Sequence, residues 1–280
     1  MKIFLLSLKI LLLLTLFLLL TFLTQIGGVI LLLSFCTHRF INRRTESKLW
    51  RGILKTSGFL LLYFLFSLLV LPPMASAFGR VPLPVFSEKA LKPLCSFTWI
   101  LNRHYARKEI YDLLIRSAGR MQQIHPGTTI NYLEAGFPLI DGFPLYPHRS
   151  HDDGKKIDLS FFYLSSTSGY PVNEAPSPIG YGICEEPAPG EMNMPALCAS
   201  GGYWQYNFMK ELIPQSRKKD FVFDIARTKA ILNLMVTDPV VDKIFLEPHL
   251  KNRLGLTSKK IRFHGCNAVR HDDHLHVQMK

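Results

Sequence analysis

The sequence predicts an α+β domain, a small and largely antiparallel sheet with helices packed on it, carried behind two N-terminal transmembrane helices. Three observations lead there. Two long uncharged runs fill most of the first 79 residues, helical and strand periodicities alternate through the rest, and histidine–aspartate motifs fall on the strand-like stretches. A chain of 280 residues has room for a membrane segment beside one globular domain.

No charged residue occurs from Ile10 to Thr37 or from Thr56 to Gly79. Both runs exceed the ~20 apolar residues that cross a bilayer core, and few soluble helices are apolar on every face. Spans are expected at about 10–37 and 56–77, joined by a loop over 38–55. That loop carries Arg39, Arg43, Arg44, Lys48, Arg51 and Lys55 against Glu46 alone, which assigns it to the cytoplasm. With two spans, the N-terminus and everything after about residue 78 then lie outside.

Residues 1–77, the membrane anchor, hold eight Lys and Arg against one acidic residue, and the remainder holds 25 against 20. Much of the net charge of +12 is therefore topological, and no nucleic-acid partner is expected. Pro72-Pro73 followed by Ala75-Ser76-Ala77 resembles a signal cleavage site. The apolar stretch is long for a signal, so a retained span is favoured. The expected location is the cytoplasmic membrane with the domain on its periplasmic or extracellular side, or export after cleavage near Ala77.

Residues 78–124 form a connector and a helix, with Pro82, Pro84 and Pro93 in the connector. Ile110, Leu113, Leu114 and Met121 give Tyr105–Gln123 helical spacing, with Pro126-Gly127 beyond its end. The main domain follows over 125–280. Thr128–Ala135 reads as a strand, Ile157–Leu164 is β-favouring, Phe223–Val236 is a helix, and Val241–Leu246 and His274–Met279 are strands. Residues 165–200 hold six prolines and read as a long covering loop, a feature more often functional than accidental.

Cys36 ends the first run and leaves Cys95, Cys184, Cys198 and Cys266 in the exported part, where an oxidising compartment permits pairing. Four cysteines allow three pairings, and the sequence does not choose among them. Cys184 and Cys198 flank a Pro/Glu-rich stretch and are the favoured bridge, closing about 15 residues for about 3 kcal/mol in the chain-entropy model. Cys95 with Cys266 would follow, and buried free thiols are the alternative.

Five of the ten histidines lie in His148-Arg149-Ser150-His151-Asp152-Asp153-Gly154-Lys155-Lys156-Ile157-Asp158 and His271-Asp272-Asp273-His274-Leu275-His276. Neither stretch contains cysteine, which argues against a thiolate structural site. A His, an Asp seven residues on and a distant His-x-His supply three N/O ligands and leave a zinc position open, as catalytic sites do. Residues i and i+2 share one strand face, so His274 and His276 point together, about 7 Å apart at their Cα atoms, while Leu275 and Val277 face the core. One of the two can ligate while its neighbour stands beside the reacting atoms. Gly154 marks a turn, so His151 comes from that turn and Asp158 from the strand after it.

Ser150-His151-x6-Asp158 with His271-Asp272-x-His274-x-His276 resembles the penicillin-insensitive murein endopeptidases. These belong to the zinc peptidase group that includes D-alanyl-D-alanine peptidases, lysostaphin-type enzymes and the hedgehog fold. Val241-Asp242-Lys243-Ile244-Phe245-Leu246-Glu247-Pro248 is similar to the strand ahead of the family's last motif. The resemblance runs from about residue 125 onward, and the membrane region has no counterpart in it. It implies one Zn2+ per chain on His151, Asp158 and His276, with His274 as base and transition-state stabiliser and His271 beside it. Asp273 is a rival base, and His148 and Asp272 support ligands or contact substrate.

The implied substrate is a muropeptide, cut at amide bonds of peptidoglycan crosslinks. The alternatives are a D-alanyl-D-alanine carboxypeptidase or dipeptidase of the same group, and a non-catalytic zinc-binding envelope module. This chain departs from the family where Lys156 replaces the first acid of an apolar-Asp-x-Asp run, and where Asp152 and Asp153 could compete for the metal. Of the remaining histidines, His104, His125, His249 and His264 are expected to be ordinary surface or core residues. Trp99, Tyr203, Trp204 and Tyr206 are expected to pack rather than line a groove.

Overall fold

The structure, a computed structural model, describes residues 2–86 and 90–280, so residues 87–89 of the expected connector lie outside the described residues. The first uncharged run is not one helix. α1 (Lys2–Thr24) ends at a sharp turn and α2 (Gly27–Arg44) runs back beside it. Gln25 takes a left-handed φ of 66° and its amide bonds Thr21 O at 2.7 Å, closing α1 in the manner of an αL cap. Gly28 then packs so tightly on α1 that a Cβ there would stand 2.1 Å from Thr21 Oγ1 and 2.7 Å from Phe17 O. Glycine at this position permits the hairpin, a signal that the absence of charge across the run conceals.

α3 (Lys48–Leu65) returns antiparallel to α2, continues through a π-helical turn (Phe66–Val70) and ends as α4 (Leu71–Ala77). Ile3–Thr24 and Lys48–Ala77 are each long and apolar enough to cross a membrane. The three helices thus alternate in direction. The expected placement of the N-terminus outside rests on two spans, and in the structure the start of α1 lies at the same end of the helices as the basic loop.

The domain begins with β1 (Arg80–Pro82), β2 (Leu91–Pro93), α5 (Ser96–Ile100) and β3 (Tyr105–Arg107). β1 pairs with β3, so the helix expected from Tyr105 starts three residues later, as α6 (Lys108–Ile124). β4 (Ile130–Tyr132) is shorter than the expected strand over 128–135 because the chain then leaves the ladder. Its backbone still bonds Asp158, through Leu133 N to Asp158 O and Asp158 N to Glu134 O. β5 (Lys156–Ser160), β6 (Tyr163–Ser165) and β7 (Pro171–Val172) follow. The expected long loop is therefore interrupted at β7, and it ends in α7 (Met194–Ser200), capped by the Asn193 side chain accepting from Ala196 N.

α8 (Trp204–Leu212), a 3-10 turn (Ser216–Asp220) and β8 (Phe221–Phe223) lead to α9 (Ile225–Thr237), capped by Asp224 through the Arg227 amide. β9 (Val241–Phe245), α10 (Pro248–Arg253), β10 (Ile261–Arg262) and β11 (His274–Met279) complete the chain. The main sheet has the order β10-β9-β11-β5-β4-β2. Its four inner strands are antiparallel and its two outermost pairs parallel, so the sheet is mixed at its edges. α6 and α9 pack on one face through Ile110, Leu113, Ile231 and Leu232, meeting Ile157, Leu159, Leu275 and Val277 in one buried core. The opposite face of β5 and β11 is left for polar side chains.

The cysteine pairing differs from expectation. Cys198 bridges Cys266, while Cys36, Cys95 and Cys184 are free. α7 presents Cys198 on its buried side toward the segment before β11. Cys184 belongs instead to a buried strip tied to the motif through Glu185 N donating to Asp272 O at 2.7 Å. Proximity in space, across 68 residues, outweighs proximity in sequence.

Candidate metal centre

Strand register builds the centre. In the β11–β5 ladder His276 lies directly across from Asp158, and both face away from the core that holds their neighbours Val277 and Ile157. Their side chains meet with His276 Nδ1 2.8 Å from Asp158 Oδ1. His151 arrives from the turn before β5, and its Nδ1 donates to Ala135 O at 2.8 Å. That bond fixes the tautomer and leaves Nε2 free as a ligand. Nε2 lies 3.2 Å from both Asp158 Oδ1 and His276 Nδ1.

Three donor atoms thus form a triangle with edges of 2.8, 3.2 and 3.2 Å. Ligands about 2.0–2.1 Å from a tetrahedral zinc stand roughly 3.3 Å from one another, so the spacing suits such an ion. The donor chemistry, two imidazoles and one carboxylate, suits it as well. All three residues are buried, and buried His/Asp groups of this kind can hold a metal ion. His271, His274 and His276 form a second close group that shares His276. Among the described residues, His148 Nε2, His271 Nδ1, His274 Nε2 and His276 Nε2 are buried with no protein partner. Buried polar nitrogens are normally satisfied, and these four, none of them a corner of the triangle, leave the site with nitrogens open to a guest.

The surroundings pin each ligand. Tyr181 Oη donates to Asp158 Oδ2 at 2.9 Å. Glu134 Oε2 pairs with His148 Nδ1 at 2.9 Å, and Arg103 holds its other oxygen at 2.5 Å. His274 Nδ1 bonds Asp273 Oδ1 at 2.5 Å, which directs Nε2 toward Asp158 Oδ1, 3.7 Å away. Asp273 Oδ2 accepts from Gly182 N at 2.6 Å. Both oxygens of Asp273 are thus engaged, and its contact with the centre runs through His274. Asp272 is held by Arg270 in a two-point contact of 2.9 and 2.5 Å. Asp153 is drawn to Lys156 Nζ at 2.7 Å, with Asp152 at 3.9 Å, so both lean toward that ammonium.

Burial opposes charge throughout this site, and the neighbours decide the outcome. The Asp158 carboxyl is held well below the usual range by His151, His274 and His276 in spite of its burial. His274 is disfavoured as a cation by burial, yet Asp273 and Asp158 carry its pKa up to about 9. For His276 burial wins and the pKa falls to about 4. Burial and the neighbouring imidazoles of His274 and His276 push His271 well down.

A groove of about 340 Å³ opens over the centre, walled by His148, Arg149, Gln205, His264, Asn267 and Val269 with His271, His274 and His276. His264 belongs to it, stacked on Phe245 with ring centroids 3.9 Å apart. Expecting His264 to be an ordinary residue missed this, and no spacing rule ties it to the last motif. Glu134 and Tyr181 were missed too, since neither lies in a histidine motif. His104 and His249 are buried and His125 lies just after α6, away from the groove walls. Trp204 is exposed, Trp99 packs near Phe64 and Phe86, and Tyr206 is buried behind the site. Compared with protein-family models and with curated proteins, the chain matches none.

Proposed function

We propose that this chain is a membrane-anchored zinc metallopeptidase that hydrolyses amide bonds in peptidoglycan peptide crosslinks, with its domain on the periplasmic or extracellular side. The observation that carries the reading is the His151–Asp158–His276 triangle with a fourth imidazole, His274, oriented on the same strand face by a carboxylate of its own. A purely structural site uses its residues to close the coordination sphere and needs no such neighbour. When bound, zinc supplies Lewis-acid polarisation of the amide carbonyl and makes water nucleophilic near neutral pH.

The chain's own residues do the rest. His151, Asp158 and His276 would hold the ion, and Ala135 O and Tyr181 fix two of them in orientation. His274, held through Nδ1 by Asp273, presents Nε2 to the reacting amide. There it can stabilise developing negative charge and deliver a proton to the leaving amine. His148, anchored by Glu134, and His271 flank it and offer further nitrogens to the substrate. The polar groove suits a peptide. Arg149 on its wall gives the carboxypeptidase alternative a specific basis, since a guanidinium is a natural partner for a chain-terminal carboxylate.

The test is metal content and turnover of the full chain in detergent with purified crosslinked muropeptides. The expectation is about one zinc per chain and conversion of dimers to monomers. His151→Ala should lose both metal and activity, and His274→Ala should keep the zinc and lose cleavage. Release of terminal D-alanine alone would select the carboxypeptidase. Zinc without any cleavage would select a binding module, and absence of zinc would overturn the reading.

A further inference from the structure

The uncharged parts of α1 after Lys9 and of α2 before Arg39 are each shorter than a bilayer core. From Lys9 to the end of α1 at Thr24 is 15 residues, about 22 Å at 1.5 Å per residue. The uncharged part of α2, Gly27 to Thr37, covers about 16 Å. A hydrocarbon core is about 30 Å thick. The turn at Gln25 therefore falls inside that thickness, and the domain meets the turn there. Gln25 Oε1 accepts from Leu139 N at 2.8 Å, and Tyr63 Oη donates to Ile100 O at 2.6 Å. Phe22 lies 5.4 Å from Tyr146, ring to ring.

Phe143 and Pro144 reach further down. They share an apolar recess with Thr15, Leu18 and Phe22, and Thr15 stands nine residues before the end of α1, about 13 Å along its axis. Polar backbone at this depth must be satisfied within the protein, and the Gln25 and Tyr63 bonds do that. The rim around these contacts is open and rich in apolar side chains, and the acid within it, Asp141, is neutralised by Arg80 at 2.5 Å and Arg107 at 2.6 Å. Phe86, Phe97, Ile140 and Tyr146 are between 45% and 82% exposed, and Leu68, Leu69 and Met74 of the helical stretch 66–77 and Phe78 just after it are exposed too.

We propose that the face of the domain carrying α5 and the segment 137–147 is sunk into the near leaflet of the bilayer, with Phe86, Phe97, Ile140 and Tyr146 in contact with lipid. The proposal rests on the membrane reading of α1 and Lys48–Ala77 and is independent of the zinc chemistry. Aromatic side chains at such a rim belong at the membrane interface. One face of α5 lies on α3 through Trp99 and Ile100, and Phe97 and Thr98, with Leu101 just after the helix, wall a cavity of about 280 Å³ that reaches His148 and Tyr181. That cavity joins the sunken face to the metal centre.

Trp99 is a native probe, 6.0 Å from Phe64 of the membrane helix. The full chain with Trp50→Phe and Trp204→Phe is reconstituted in phosphatidylcholine vesicles, plain or brominated at the middle of the acyl chains. Trp99 emission should fall about twofold or more on bromination, as should that of Ile140→Trp in a background otherwise free of tryptophan. The chain retaining only Trp204, which is 73% exposed on α8, should be unaffected. A Leu14→Trp control reports α1 itself. Quenching there without quenching at positions 99 and 140 would overturn the sunken face while leaving the anchor. Loss of quenching at all three would remove the anchor with it. Unquenched, blue-shifted Trp99 in a self-associated chain would assign the face to a second copy and overturn the lipid contact.

Discussion

At the residue scale the candidate centre is a set of buried groups that make sense only together. Asp158 is fully buried beside three imidazoles, and each of its oxygens has a defined partner: Oδ1 faces His151 and His276, and Oδ2 accepts from Tyr181. The Tyr181 hydroxyl lies one bond outside the ligand set, where it holds the carboxylate in the orientation a metal needs. Loss of such an outer partner ordinarily costs ~10–100-fold in metal affinity. Tyr181→Phe should therefore lower zinc affinity by at least about tenfold in a chelator competition. The fold should persist, because the ring and its packing against His148 and His274 remain. An unchanged affinity would show that Asp158 is oriented by the strand alone. The candidate ligands His151, Asp158 and His276 stand out in the sequence because they cluster in two short motifs, and the fold brings them together. Tyr181 and Glu134 do not stand out, since each reaches the site from a separate segment and carries no pattern of its own.

At the scale of elements, what could be read and what could not divides by range. β11 is recovered with its ends correct, because Leu275 and Val277 alternate with His274 and His276, and a slip of one residue would bury both imidazoles in the core. The cross-strand match of His276 with Asp158 needs the ladder itself, which no local pattern supplies. The disulfide fails for the same reason: loop length favours Cys184 with Cys198, whereas the fold brings Cys198 to Cys266. The observed bond ties α7 to the segment that holds Asn267 and Val269 in the groove wall. A closed loop of that size is worth about 4 kcal/mol in the chain-entropy model. Cys198→Ser together with Cys266→Ser should lower unfolding stability by about 2–4 kcal/mol, measured by chemical denaturation of the full chain in detergent. The same pair of substitutions should leave metal content intact, because no ligand belongs to either segment. A Cys184→Ser variant as destabilised as the double variant would contradict the pairing.

At the scale of the whole molecule the alternating direction of α1, α2 and α3 gathers the basic side chains from Lys9 to Lys55 toward one end. Lys9 lies in the first half of α1, Arg39, Arg43 and Arg44 close α2, and Lys48, Arg51 and Lys55 open α3. A two-span path would leave Lys2 and Lys9 on the domain's side, against the bias that keeps such residues in the cytoplasm. With the turn at Gln25 the basic residues from Lys9 to Lys55 fall toward one end of the helices and the domain joins the other, as that bias would require of a membrane-inserted chain. The hairpin is held by glycine packing at Gly28 and by the Gln25 bond to Leu139, so topology and domain seating are consequences of the same turn. A cleavable tag at the N-terminus and a second one between residues 45 and 47 should both be cut by protease added from the cytoplasmic side. Neither should be cut from the side on which the domain is digested. Cleavage of the N-terminal tag from the domain's side would restore the two-span path. The α1–α2 turn and the domain contacts made by Gln25 would then have to come apart in the membrane.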